Sequence, residues 1–144
     1  MNILSKITKA DSSAFTLNVA LLFFRLGISA ELIIVHGLKK IGVGTGAVEA
    51  VPNPFDLPET FNFWMAASAN LFFPVLVMLG LFTRLSVLPI LAVTLTGYFI
   101  VHGHDSLLER DIPYVYSLAF LFLLIVGPGK YSLDYLFSHR HPLT

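Results

Sequence analysis

Apolar side chains fall into four long runs along the chain, separated by short polar stretches. The runs extend over about 15–38, 61–82, 85–101 and 113–126. A helix needs about 20 predominantly apolar residues to cross the hydrocarbon core of a bilayer. The first two runs reach that length, and the third falls just short. The fourth is shorter still, but the GPG of Gly127–Gly129 ends it cleanly, and Tyr114, Tyr116 and Tyr131 suit its interfacial margins. None of the runs alternates polar and apolar residues as a barrel strand would. The pattern therefore predicts an all-α fold, an integral membrane four-helix bundle, as a single domain over residues 1–144. Pro74 and Pro89 lie inside the second and third runs. In a membrane bundle, neighbouring helices can satisfy the carbonyls that proline frees, so both read as kinks rather than breaks.

The connections differ in character. Thr83–Arg84 reads as a tight turn that makes the second and third spans an antiparallel hairpin. Residues 39–60 form a long loop with Gly42, Gly44, Gly46, Pro52, Pro54 and Pro58, expected to pack over one end of the bundle. The link at 102–112 is short and polar.

Composition explains what surrounds the bundle. The chain is 56% hydrophobic and 12% charged, whereas soluble domains carry about 25% charged residues. Its surface is expected to face lipid. The formal net charge is zero, with none of the basic excess of a nucleic-acid-binding protein. There is no cysteine, which excludes disulfides, thiol catalysis and cysteine-ligated metals. Lys6 and Lys9 before the first run resemble the start of a signal peptide. The run, however, exceeds the roughly 7–15 residues of a signal core and contains Arg25 and Glu31, so a retained first span is expected.

Lysine and arginine set the orientation. Lys6, Lys9, Arg84, Lys130 and Arg140 fall on one side; Lys39, Lys40 and Arg110 fall on the other, which also holds most of the acids. Both termini are therefore expected to be cytoplasmic, N-in and C-in, with 39–60 as an extracytoplasmic loop.

Ionisable groups within a span cost at least about 2.5 kcal/mol each at mid-depth, so those present need a reason. At 100° per residue, Asn18, Arg25, Ser29 and His36 share one stripe of the first span, which should face the bundle. Thr94, Tyr98 and His102 follow at i, i+4 and i+8 on the third span. Counting inward, Glu31 and Asn70 lie at similar depth. Together Glu31, His36, Asn70, Tyr98 and His102 outline a polar layer in the outer leaflet, with Thr94 and Ser117 nearby. Two readings of that layer stand open. It can be a pocket for a small amphipathic molecule such as a quinone head group, which needs hydrogen-bond donors and a proton-handling group. Equally, these groups can hydrogen-bond one another and hold the helices together. Histidines from different spans can also ligate haem iron, but His36, His102 and His104 near helix ends read as polar caps, and no haem or metal is expected. His139 and His141 read as solvated.

Three segments carry a family resemblance: RLGISAELIIVHGLKKI from Arg25 to Ile41, LGLFTRL from Leu79 to Leu85, and VGPGKYSLDYLF from Val126 to Phe137. In this order and spacing the chain resembles the DoxX family of small bacterial four-helix membrane proteins. The resemblance implies a multi-pass protein of the bacterial inner membrane, associated with redox processes and acting beside a partner redox protein. Members commonly carry a glutamate in the second span, about ten residues before the turn; here Asn70 takes that place. A relocated acid, Glu31, would have to face the second span. Arg84, read at the end of the second span, would complement its helix dipole, and Asp134 across the same face could pair with it. Ser132 would cap a short terminal helix.

The functional expectation is thus a redox-associated component that binds a quinone or similar molecule in the outer leaflet. The alternative is a non-enzymatic scaffold or assembly subunit of a larger complex. A small transporter ranks behind both, because no inverted repeat is visible. A homodimer is compatible with the sequence, and no feature identifies a substrate.

Overall fold

The computed structural model describes residues 13–140, and among them there is no strand. The first helix, α1 (Ala14–Glu31), continues through a π-helical stretch, Leu32–Gly37, to Leu38–Lys40. Next come α2 (Glu59–Asn70), α3 (Phe72–Leu79), and α4 (Thr83–Thr96), which also ends in a π-helical stretch, Gly97–Val101. They are followed by α5 (Asp111–Val126) and α6 (Leu133–Arg140). Three continuous helical stretches are long and apolar enough to cross a membrane: Ala14–Lys40, Glu59–Leu79 and Thr83–Val101. Helix α5 is apolar but shorter.

Local chemistry fixes the boundaries. Ser13 starts α1, its hydroxyl accepting the Thr16 amide at 3.2 Å. The division of the second span into α2 and α3 follows from Pro74, which has no N–H to give the carbonyl of Asn70 four residues back. The chain bends at Leu71 (φ −119°, ψ −60°) and resumes as α3. Gly37 packs against this bend: a Cβ there would overlap the freed Asn70 carbonyl oxygen and lie 2.7 Å from Cδ2 of Leu71. The absent side chain is what lets α1 approach α2 so closely.

The hairpin between spans two and three turns at Gly80–Phe82, and not at Thr83–Arg84 as the apolar pattern suggested. Gly80 closes α3 in the left-handed conformation (φ 68°). Thr83 and Arg84 already belong to α4, because Asp134 caps its start: the carboxylate accepts the amides of Phe82 (2.7 Å) and Thr83 (2.9 Å).

Helix α4 is central, packed along α5 on one side and against α3 and α2 on the other, while α1 lies mainly on α3. The core joins Leu21 and Leu32 of α1, Val77 of α3, Val87, Ile90 and Leu91 of α4, and Tyr116, Phe120 and Leu123 of α5. Large apolar side chains face outward all round, among them Phe23, Leu85, Phe99 and Ile125, each about two-thirds exposed (69%, 65%, 65% and 68%). In water that surface would drive aggregation; against acyl chains it is matched.

Candidate functional site

The polar groups gather at the two ends of the bundle. At one end a cleft of about 410 Å³ opens between α1, α2, α4 and α5. Its apolar lining is Leu32, Val93, Ile112 and Pro113. His36 and Asn70 line it from α1 and α2, Thr94 from α4 and Tyr116 from α5; His102 stands at the rim with Lys39, Lys40 and Glu49. Both π-helical stretches border the cleft, contributing Leu32, His36 and Gly97. A π turn inserts an extra residue and re-aims the side chains after it, which is why such turns recur at functional sites.

Individual contacts show how the groups are held. The Asn70 amide donates to the carbonyl of Ala66 at 2.7 Å, which leaves its side-chain oxygen without a partner among the described residues. The His36 ring meets Tyr116 edge-on at 5.3 Å between centroids. Neither the His36 nitrogens nor the Tyr116 hydroxyl has a hydrogen-bond partner among the described residues. The Ser117 hydroxyl donates to Thr94 Oγ1 at 2.9 Å, joining α4 to α5 beneath the cleft. His102 Nδ1 pairs with Asp105 at 2.7 Å.

The loop after α1 folds back over this end. Glu49 bridges Lys39 (3.2 Å) and Lys40 (3.0 Å), and the Asn62 amide donates to the carbonyl of Pro52 at 3.1 Å. Partial burial pushes the Glu49 carboxyl up, but hydrogen bonds and charge from Lys40 and Lys39 outweigh it and hold the group below the usual glutamate range. Among the described residues, no three His, Asp or Glu side chains converge to hold a metal ion.

The opposite end is built round Arg25. Arg25 is 1% exposed, and its guanidinium donates to the carbonyls of Pro128 (2.6 Å) and Tyr131 (2.7 Å). Asn18 accepts the Lys130 amide at 2.7 Å. The stripe of α1 thus clamps the GPG turn, whose Gly127 and Gly129 take positive φ (86° and 78°). Ser132 caps α6, accepting the Tyr135 amide at 3.2 Å.

A family model described as DoxX matches residues 20–103, more than half of the chain. The chain belongs to the DoxX family. It is also similar to an uncharacterized protein of Haemophilus influenzae, with 31% identity over 96 residues, which is 63% of this chain and 64% of that relative. The chain thus spans just under two-thirds of the length of the curated relative it matches. No solved structure matches it. With its apolar helices, this DoxX protein is a membrane protein.

The structure sorts the residues expected from the DoxX sequence. Of the polar layer, His36, Asn70 and His102 share the cleft, whereas Glu31 and Tyr98 do not line it. Glu31 lies on the exposed face of α1, about 200° round the helix from fully buried Ser29, so a relocated acid facing the second span is ruled out. The Tyr98 ring lies instead beneath the Arg110 guanidinium at 4.3 Å and beside Tyr114. The expected Arg84–Asp134 pair does not form. Both Asp134 oxygens are taken by backbone amides, and Arg84 donates to the carbonyl of Ile125 at 3.2 Å. Arg84 therefore complements the C-terminal end of α5, and not that of the second span. His139 is exposed and stacks on Tyr135. Lys6, Lys9, Asp11 and His141 lie outside the described residues.

Sequence reasoning missed Lys39, Lys40, Glu49 and Tyr116 as cleft residues. Tyr116 carried a usable signal: it lies four residues from Phe120 and seven from Leu123, both in the core, so it shares their inward face. The loop contacts of Glu49 had none.

Proposed function

We propose that this DoxX protein spans the bacterial inner membrane four times with both termini in the cytoplasm, and binds a small amphipathic molecule in the cleft at the His36 end. The observation that carries this reading is the cleft itself. Polar groups of His36, Asn70 and Tyr116, without hydrogen-bond partners among the described residues save the Asn70 amide, line it together with apolar Leu32, Val93 and Pro113. These groups have no partner among the described residues yet are open to the cleft, so a ligand there could hydrogen-bond with them in place of water.

A quinone head group has the matching chemistry. Its carbonyl oxygens accept from His36, Tyr116 and the Lys39–Lys40 edge, its ring covers Leu32 and Val93, and its isoprenoid tail leaves between helices. A tautomerising histidine supplies the proton-handling that quinone reduction needs. Electrons would come from a partner redox protein, since this chain has no cysteine and no cluster of metal-ligating side chains among its described residues. Photo-crosslinking with an azido-benzoquinone, followed by peptide mapping, tests the site. Labels on 32–40, 93–97 and 109–116 are expected. Labels spread evenly over the exposed faces of α1 and α5 would mean unspecific partitioning and overturn it.

A further inference from the structure

The Arg25 end carries a second hollow, of about 650 Å³, between the start of α4, the GPG turn and α6. Arg84 and Lys130 are its two basic side chains. Its single acid, Asp134, spends both oxygens on the amides of Phe82 and Thr83. Among the described residues neither basic group has an ion pair. The Arg84 guanidinium has five donors and gives one to Ile125. Below the basic pair the walls turn apolar: Phe82, Leu85 and Val126 are 64%, 65% and 41% exposed.

We propose that this hollow holds the head group of an anionic phospholipid, its phosphate between Arg84 and Lys130 and its first acyl carbons against Leu85 and Val126. The inference rests on the reading that the bundle spans the bilayer, which places this end at a membrane surface. Basic groups above an exposed apolar strip match a molecule that is anionic at one end and hydrocarbon at the other. Free phosphate satisfies only the upper half. A zwitterionic lipid carries its own cation and gains less from two basic side chains. Arginine suits the role because its planar fork matches phosphate oxygens in pairs.

Native mass spectrometry of the full chain, released from nanodiscs of equal parts phosphatidylglycerol and phosphatidylcholine, tests this. Preferential retention of one phosphatidylglycerol is expected. Each of R84Q and K130Q should cut that preference about fivefold. Because R84Q also removes the Ile125 contact, K130Q decides alone if R84Q does not fold. A His36→Leu change, at the other end, should leave lipid retention unaltered, so loss of quinone binding and loss of lipid binding read separately. Equal retention of the two lipids by the unmodified protein overturns the proposal. So does a preference unchanged in K130Q, or displacement of the lipid by inorganic phosphate.

Discussion

At the scale of single residues, the bundle depends on a few positions where backbone or charge meets a partner at close range. Gly37 is one. Its missing side chain admits the Asn70 carbonyl that Pro74 leaves free. A Gly37→Ala change should destabilise the protein by about 1–3 kcal/mol, the usual range for overpacking, seen as a lowered midpoint in thermal unfolding. Arg25 is another. Its fork reaches two carbonyls from two separate nitrogens, a spread that the single nitrogen of lysine does not match. Arg25→Lys should lose about 1.5–3 kcal/mol, the worth of one charge-assisted hydrogen bond, while Arg25→Ala should lose more. An Arg25→Lys protein as stable as the parent would show that the planar fork is not required to hold the GPG turn.

At the scale of elements, the loop over the cleft is tied to the end of the first span through the Glu49 carboxylate. Glu49 ionises more easily folded than free, because Lys40 and Lys39 stabilise its charge. A lowered pKa adds stability above the unfolded value, about 4.3; that stability is lost as the pH falls through the folded pKa. Hydrogen exchange over 41–58 should therefore be slow and flat from neutral pH down to about 5, then quicken, once corrected for intrinsic rates. Glu49→Gln should remove that acid step, leaving fast exchange at every pH. The same scale shows what the sequence could and could not reveal. The four apolar runs announce the helices, and the Arg25–His36 stripe identifies the inward face of α1, because both depend on periodicities of a few residues. The turn at Gly80–Phe82 was misplaced by two or three positions, since Asp134, fifty residues on, decides where α4 begins. The π turns have no local signature. Glu31 shares the depth of Asn70, but at 100° per residue it falls about 240° from Arg25, on the flank away from the inward stripe, and the structure follows that angle.

For the whole molecule, the two ends are chemically distinct. One is a clamp of carbonyls and capped amides round Arg25; the other is a cleft with polar groups left open. The proposed orientation puts the clamp in the cytoplasm. Because the chain has no cysteine, single cysteines can be introduced cleanly at Gly46 and Ser138. In intact spheroplasts, a membrane-impermeant maleimide should label the first and spare the second. The reverse pattern would invert the topology, and labelling of both would place the two ends on one side.

The central claim is that the cleft is a binding site. Equilibrium binding of a short-chain benzoquinone to the protein in nanodiscs, with empty nanodiscs subtracted, tests it most directly. Saturable binding at one molecule per chain is expected. His36→Leu and Asn70→Leu should each weaken it about tenfold, the effect of losing roughly 1.4 kcal/mol of polar contact. Linear, non-saturating uptake, identical in the parent and both variants, would contradict it.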